Sequence, residues 1–466
     1  MAGINRRNIL FGSAAAGGIL AAAPRWAWAQ NKPEKLVYIG ENQGGWKRTL
    51  VEEVGPAYEK ATGIKVEFTL LAVDAWRARL KAELGAGSSG IDIAQWSVGM
   101  AGWMAPHLLD HEPLLATVAK HDPDFDWGDF LSGSKQAASY DERLIGIPYR
   151  ITTGILHYQK PLFDQAGITQ PPPTFAEFEK AALAVNTPPD RYSFGLMGRQ
   201  GPGSYSSFAS WLFSAGGKLV DFKNGEVFIN DAHAVTALQF YVDLVLKHKV
   251  VPPEAMTWEF DEIIAGGQKD RYAMTQTFAP YGTLINDPQL SKTAGRWAWA
   301  TVPGYTSKAQ SQTWIDGHFL SIPKYAKYPD WSLEFIRMAC SKQWMLRSTE
   351  RGNAPPRGSV LRDPTMVAKL GWPPVAAEAI DTGFPTPAHP VWDALDISLR
   401  SAMSEALLGQ KTPKQALDEL ARDWQRNLRR AGVGSLPPTC VIKPLSIGHR
   451  PRKPRRRCRR GCCRRE

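Results

Sequence analysis

The chain has 466 residues, of which 43% are hydrophobic and 22% charged. At roughly 100–200 residues per domain this length predicts two or three globular units, and the composition excludes a disordered or collagen-like chain. The formal charge is +11, but residues 1–29 hold three arginines and no acid, and residues 443–466 hold eleven Lys or Arg against Glu466 alone, leaving −2 for residues 30–442. A nearly neutral body offers no basic working face, so a nucleic-acid partner is not expected.

The N-terminus reads Asn5-Arg6-Arg7-Asn8-Ile9-Leu10-Phe11, then a Gly- and Ala-rich stretch to Ala23, then Ala27-Trp28-Ala29 before Gln30. A charged start, a short apolar run and a small-x-small site predict a cleaved twin-arginine signal over 1–29 and export to the periplasm. The apolar run falls short of the roughly 20 residues that span a bilayer. With no cysteine at the cleavage site, a lipid anchor is not expected. Cys340 is the only one of five cysteines before residue 440. A disulfide framework is therefore excluded from the body, and Cys340 reads as a buried small hydrophobe.

In chain order, Leu36–Gly40, Ile64–Leu71 and Ile91–Trp96 read as strands, with helical spacing over Trp46–Ala61 and Ala75–Leu84 between them. This alternation predicts α/β architecture with a largely parallel sheet and ligands beyond the carboxyl ends of the strands. Two strand-like runs follow, Leu144–Tyr149 and Thr153–Tyr158. Next comes a helix opened by Thr174 with Glu177 three residues on, the spacing of a capping box. Helices over Ala232–Lys247 and Glu259–Gly266 precede strands at Arg271–Gln276, Trp297–Val302 and Gly317–Pro323. A long helix is expected over Trp331–Leu346, and two more over Val391–Leu408 and after Thr412-Pro413, the latter with Leu417, Leu420, Trp424 and Leu428 on one face. Gly198–Gly203 lacks the order of a phosphate-binding loop and reads as a turn. No Gly-x-Ser-x-Gly motif or paired Cys-x-x-Cys occurs in the body, so neither an enzyme nor a metal or other cofactor is expected.

Several segments, in this order, resemble extracellular solute-binding proteins of the maltose-binding type, which serve ABC importers. They are Tyr58–Val66, Ser89–Ile93, Gly146–Tyr149, Tyr158–Gly167 with Pro172–Phe175, Arg271–Met274, Val302–Gly304, Trp314–Gly317 and Leu408–Leu417. The resemblance spans about residues 36–430. It implies a type II two-lobed fold whose hinge is crossed three times, with a solute in the interlobe cleft and closure around it. The crossings are expected near Tyr149, Thr301–Gly304 and Ser341. Lobe 1 is then 30–149 plus 303–340, and lobe 2 is 150–302 plus 341–435. The basic tail 436–466 has no counterpart in the family and is not expected to affect binding.

A sugar needs aromatic planes for its C–H faces and charged or amide groups for its hydroxyls. Trp46 and Gln43 follow the first strand, Trp96 ends the third, and Tyr281 follows the strand at Ala273–Thr275. Trp211, Trp314 and Trp392 are further aromatic candidates. Arg150, Asp316, Arg351 and Asn353 are the polar ones. Ser97-Val98-Gly99 and Thr152 depart from the maltose-binding pattern and point to another solute. The expectation is a monomeric periplasmic protein that binds a small carbohydrate or polyol and delivers it to an ABC permease. Two rivals remain: a binding protein for a glycerol phosphate, polyamine or anion, and a secreted carbohydrate-active enzyme.

Overall fold

The computed structural model describes residues 31–42 and 48–434. The expectations for the signal, for Gln43 and Trp46, and for the tail 436–466 lie outside the described residues. Strand β1 (Lys35–Glu41) passes through a π-helical turn (Thr49–Val54) and helix α1 (Gly55–Thr62) to β2 (Lys65–Leu71); α2 (Val73–Gly85) then leads to β3 (Ile93–Ser97). β1 lies between β2 and β3, parallel to both. Every residue of β3 is buried, as expected of a strand covered on both faces.

The rest of the main sheet comes from β4 (Ile147–Gln159), β5 (Tyr192–Gly195), β6 (Tyr272–Phe278), β7 (Trp297–Ala300), β8 (Trp314–Ser321) and β9 (Phe384–Pro385). The strand order is β2-β1-β3-β8-β4-β6-β5, with β7 also paired to β4 and β9 to β8. The two runs at 144–149 and 153–158 are largely one strand. Only Arg150 within β4 is incompletely buried, so nothing breaks the run, and the strand changes partners midway. Ile147–Thr153 pairs with β8, whereas Gly154–Tyr158 pairs with β6. Gly154 sits at that change, where an added Cβ would overlap the Gln276 amide and approach the Ser210 and Thr313 hydroxyls.

Two apolar cores flank this point. One gathers β1–β3, the first half of β4, Ile315, Phe319 and residues up to Ile380. The other gathers Leu156 onward through Ile285, Trp297, Trp314 and residues 392–428. The chain thus makes two lobes joined through β4, the 301–313 connector and the 381–391 segment. The expected crossing at Ser341 is corrected. Cys340 and Ser341 only break the long helix into α8 (Pro329–Ala339) and α9 (Lys342–Thr349). Phe335, Trp344, Met345, Val360, Trp372 and Ile380 all bury in the first core, so 341–380 belongs to lobe 1.

In the second lobe, α3 (Phe175–Ala184) is capped as its sequence indicates, Thr174 Oγ1 accepting from the Glu177 amide at 3.3 Å. Helix α4 (Pro202–Ser214) was not anticipated. It is buried on nearly every side, which removes the polar face that periodicity needs. Helices α5 (Ala232–Leu246), α6 (Phe260–Gln268), α7 (Tyr281–Ile285), α10 (Pro373–Asp381), α11 (Trp392–Leu407) and α12 (Pro413–Arg430) complete the elements used below.

Candidate functional site: the interlobe cleft

The carboxyl ends of β1 and β3 meet the start of β8, because β8 runs antiparallel to β3 with His318 opposite Ser97. On its other side β8 places Asp316 opposite Thr152 and His318 opposite Arg150 of β4. Glu41, the last residue of β1, pairs with His318, Oε2 to Nε2 3.0 Å. Burial opposes the Glu41 charge, but His318, Arg150 and Arg77 together hold its carboxyl below the usual range. Asp316 shows the opposite balance. Burial raises its carboxyl above the usual range despite His318, Arg77 and the backbone amides of Gly317 and Val98. Two neighbouring carboxyls are thus held with different proton affinities.

The second lobe faces them with the carboxyl ends of its own strands. β6 ends in Phe278, and Tyr281 opens α7 with its ring 4.9 Å from that of Phe278. Burial pushes the Tyr281 hydroxyl up, against the field of Arg150 and alongside those of Asp261, Glu259 and Glu41. The side chains sensed by Tyr281 therefore come from both lobes. Arg199, beyond β5, lies 3.7 Å from Glu259, and on α11 Arg400 pairs with Asp396. Arg77 of α2 reaches across to Asp393 of α11 at 3.4 Å.

Several polar atoms here are enclosed without hydrogen-bond partners: Nε of Arg77, Arg150 and Arg400, Oδ1 of Asp396 and Nε1 of Trp314. Such atoms cost free energy unless something supplies the missing bonds. Their chemistry, guanidinium and indole donors beside carboxylate acceptors, matches a neutral molecule rich in hydroxyls, which donate and accept at once.

Of the described residues singled out from the sequence, Arg150, Asp316, Tyr281 and Trp314 come together here, with Trp392 beside them at the seam. Trp96, Trp211, Arg351 and Asn353 do not. Trp96 is 0% exposed, its ring 4.4 Å from Phe319 and its Nε1 donating to Ser321 Oγ at 2.6 Å. Trp211 is enclosed by Phe175, Phe178, Phe194 and Phe240 in the second core. Trp96 and Trp211 cannot act as platforms, because neighbouring rings enclose them. Trp392 packs edge-on against Tyr205 and Trp424 and stands at the seam between the lobes, where a Cβ added to Gly99 of the first lobe would meet its ring at 3.8 Å. Arg351 pairs with Glu52 and Glu53, and buried Asn353 donates to Ser348 Oγ at 3.0 Å beyond the end of α9. Arg351 and Asn353 thus have local structural roles in lobe 1.

Glu41, Arg77, His318, Glu259 and Arg400 were missed. Glu41 was legible, since it ends the first strand. Arg77 and Arg400 lie on helices whose facing depends on lobe packing. Among the described residues no cluster could hold a metal ion, and no helix is long and apolar enough to cross a membrane.

The family model of bacterial extracellular solute-binding proteins matches residues 41–346, well over half the chain. The mannitol-binding protein of Pseudomonas aeruginosa is 25% identical over 399 residues, covering 80% of this chain and 88% of its own length. Two solved structures share the fold. A maltose-bound T. maritima protein superposes with a TM-score of 0.73 at 22% identity, over 84% of this chain and 99% of its own. A ribitol-bound ABC transporter solute-binding protein of Agrobacterium radiobacter does so with a TM-score of 0.73 at 22% identity, over 85% of this chain and 100% of its own. With its two lobes joined through a shared strand and a charged cleft between them, this chain belongs to the family of bacterial extracellular solute-binding proteins.

Proposed function

We propose that this protein captures a small neutral polyhydroxylated solute, a linear sugar alcohol in the first instance, by closing its lobes around it, and delivers it to an ABC permease. The observation that carries this reading is the set of enclosed, unpartnered donors and acceptors in the cleft. Arg77, Arg150, Arg199 and Arg400 stand among Glu41, Glu259, Asp393, Asp396 and Asp316, four guanidinium groups to five carboxyls, and burial disfavours the charged form of Asp316, so the two signs nearly balance. An anion would require a surplus of Arg or Lys, and a polyamine a surplus of carboxylates.

The mannitol-binding relative supports a linear ligand, an acyclic polyol presenting mainly hydroxyls to these donors and acceptors. For its C–H groups the site offers the rings of Tyr281, Phe278 and Trp314, with Tyr205 and Trp392 beside them at the seam. The proposal extends to a non-enzymatic role and to twin-arginine export to the periplasm, the latter supported by the Arg6-Arg7 leader.

A thermal-shift panel of D-mannitol, ribitol, maltose, spermidine and glycerol 3-phosphate tests this. Ligand at about 100 times its Kd stabilises the native state by about 2.7 kcal/mol. A shift with D-mannitol or ribitol, the polyol being recovered unchanged, is the expected result. A shift with spermidine or glycerol 3-phosphate alone would overturn the neutral-polyol reading, and conversion of the polyol would overturn the non-enzymatic one.

A further inference from the structure

Arg77 stands in an unusual position among the cleft residues. It lies on α2 of the first lobe, yet its Nη1 reaches Asp393 Oδ1 of the second lobe at 3.4 Å. Its Nε is enclosed with no hydrogen-bond partner. The guanidinium also lies within electrostatic reach of Glu41 and Asp316, the buried carboxyls of the first lobe, and of Arg400 on α11. One side chain therefore spans the site and the seam between the lobes. The other charged pairs of the second-lobe rim, Arg199 with Glu259 and Arg400 with Asp396, have both partners within that lobe.

We propose that Arg77 couples occupancy of the cleft to closure. Its Nε donates to a hydroxyl of the bound solute, and the same contact holds Nη1 against Asp393, which exists as a partner only when the lobes are shut. The ligand half of this proposal rests on the polyol reading above; the latch half does not. A ligand shifts a conformational equilibrium only through contacts that differ between its states, and a guanidinium shared by solute and opposite lobe is such a contact. The Arg77 and Asp393 side chains are 34 and 42% exposed, so the latch alone is weak and salt-sensitive. It is too weak to shut the empty protein permanently, and it strengthens when the solute fixes the arginine.

The test compares Asp393→Asn, Arg77→Gln and the swap Arg77→Asp/Asp393→Arg, using D-mannitol as probe. Calorimetry reads affinity, and X-ray scattering of the ligand-free proteins reads the closed fraction. Asp393→Asn should weaken D-mannitol about two- to fivefold, the range of an exposed pair, and leave the mannitol-to-ribitol ratio unchanged. Arg77→Gln should cost at least roughly tenfold more, because it also removes a charged donor to the ligand. The swap should restore the wild-type scattering profile while affinity stays as weak as in Arg77→Gln. If Arg77→Gln and Asp393→Asn weaken binding equally, the ligand contact is refuted. If the swap remains as open as Arg77→Gln, the latch is refuted. Failure of the wild-type protein to bind D-mannitol would overturn the polyol reading, and the scattering arm would still decide the latch.

Discussion

Replacing Arg357 with methionine should destabilise the protein severely and leave the cleft intact. Arg357 is 1% exposed, with its guanidinium 4.2 Å from the Phe130 ring centroid and 5.0 Å from that of Phe125. Its Nε donates to the Cys340 carbonyl at 2.9 Å, and its Nη1 to the Asp126 carbonyl and Asp129 Oδ2, both at 3.1 Å. Nη2 donates to the Phe125 carbonyl at 2.5 Å. Methionine fills similar space but supplies none of these bonds, so three carbonyls lose a donor and the largely buried Asp129 charge loses its counter-ion. Breaking a buried pair from one side costs about 3–5 kcal/mol. For lobes of this size each kcal/mol lowers Tm by about 2–4 °C, so a fall of roughly 6–20 °C is expected. Differential scanning calorimetry measures that fall, and titration with a bound polyol should show unchanged affinity, since Arg357 lies among the helices of the first lobe, outside the cleft. A loss below about 1 kcal/mol would refute the assignment of this arginine as the tie between the 125–130 and 340–358 segments.

The two cleft carboxyls should respond oppositely to pH. Glu41 has a depressed pKa when folded, so its contribution is present above the usual carboxylate range and lost on acidification through the folded value; Glu41→Gln should flatten stability between about pH 5 and 3. Asp316 has a raised pKa, so its charge burdens the fold near neutrality. Asp316→Asn should raise the Tm of the ligand-free protein while weakening polyol binding, and a lowered Tm would contradict this. Burial lowers the pKa of both His111 and His157 to about 4, so stability should decline as pH falls from about 6.5 towards 4. NMR titration of both imidazoles near pH 6.5 would refute that. Trp96→Phe should lower Tm through lost packing yet leave polyol affinity unchanged, as its ring is in the core; a large loss of affinity would return Trp96 to the site.

The alternation of β1, α1, β2, α2 and β3 was legible because each element states its own period and its own stops, such as Gly63 at φ 71° ending α1. The capped helices α3 and α12 were legible for the same local reason, Thr174 and Thr412 both accepting from the third residue on. The continuous β4 was read as two strands, because a strand buried in two lobes in succession shows no mark where its partners change. The third crossing was misplaced at Ser341, where a local helix break imitates a boundary. Which core the helices after Ser341 join is decided by packing, not by local pattern.

For the candidate site, position along a strand decides where a side chain falls and residue type alone does not. Tyr281, Trp314, Asp316 and Arg150 gather between the lobes because they lie at strand ends or at the β4–β8 seam. Trp96 also ends a strand, but side chains alternate along β3 and its ring points into the lobe. Trp211 lies on α4, the helix the sequence concealed. An abundance of tryptophan therefore suggested stacking platforms where the protein uses many of them as core.

The most direct measurement is a calorimetric titration of D-mannitol into the wild-type protein and into Arg150→Gln. Stoichiometric binding to the wild-type protein, weakened at least roughly tenfold in the variant by loss of a charged donor, is the expected result. Binding of D-mannitol with equal affinity to both proteins, or heat only from spermidine or glycerol 3-phosphate, would contradict capture of a neutral polyol in the interlobe cleft.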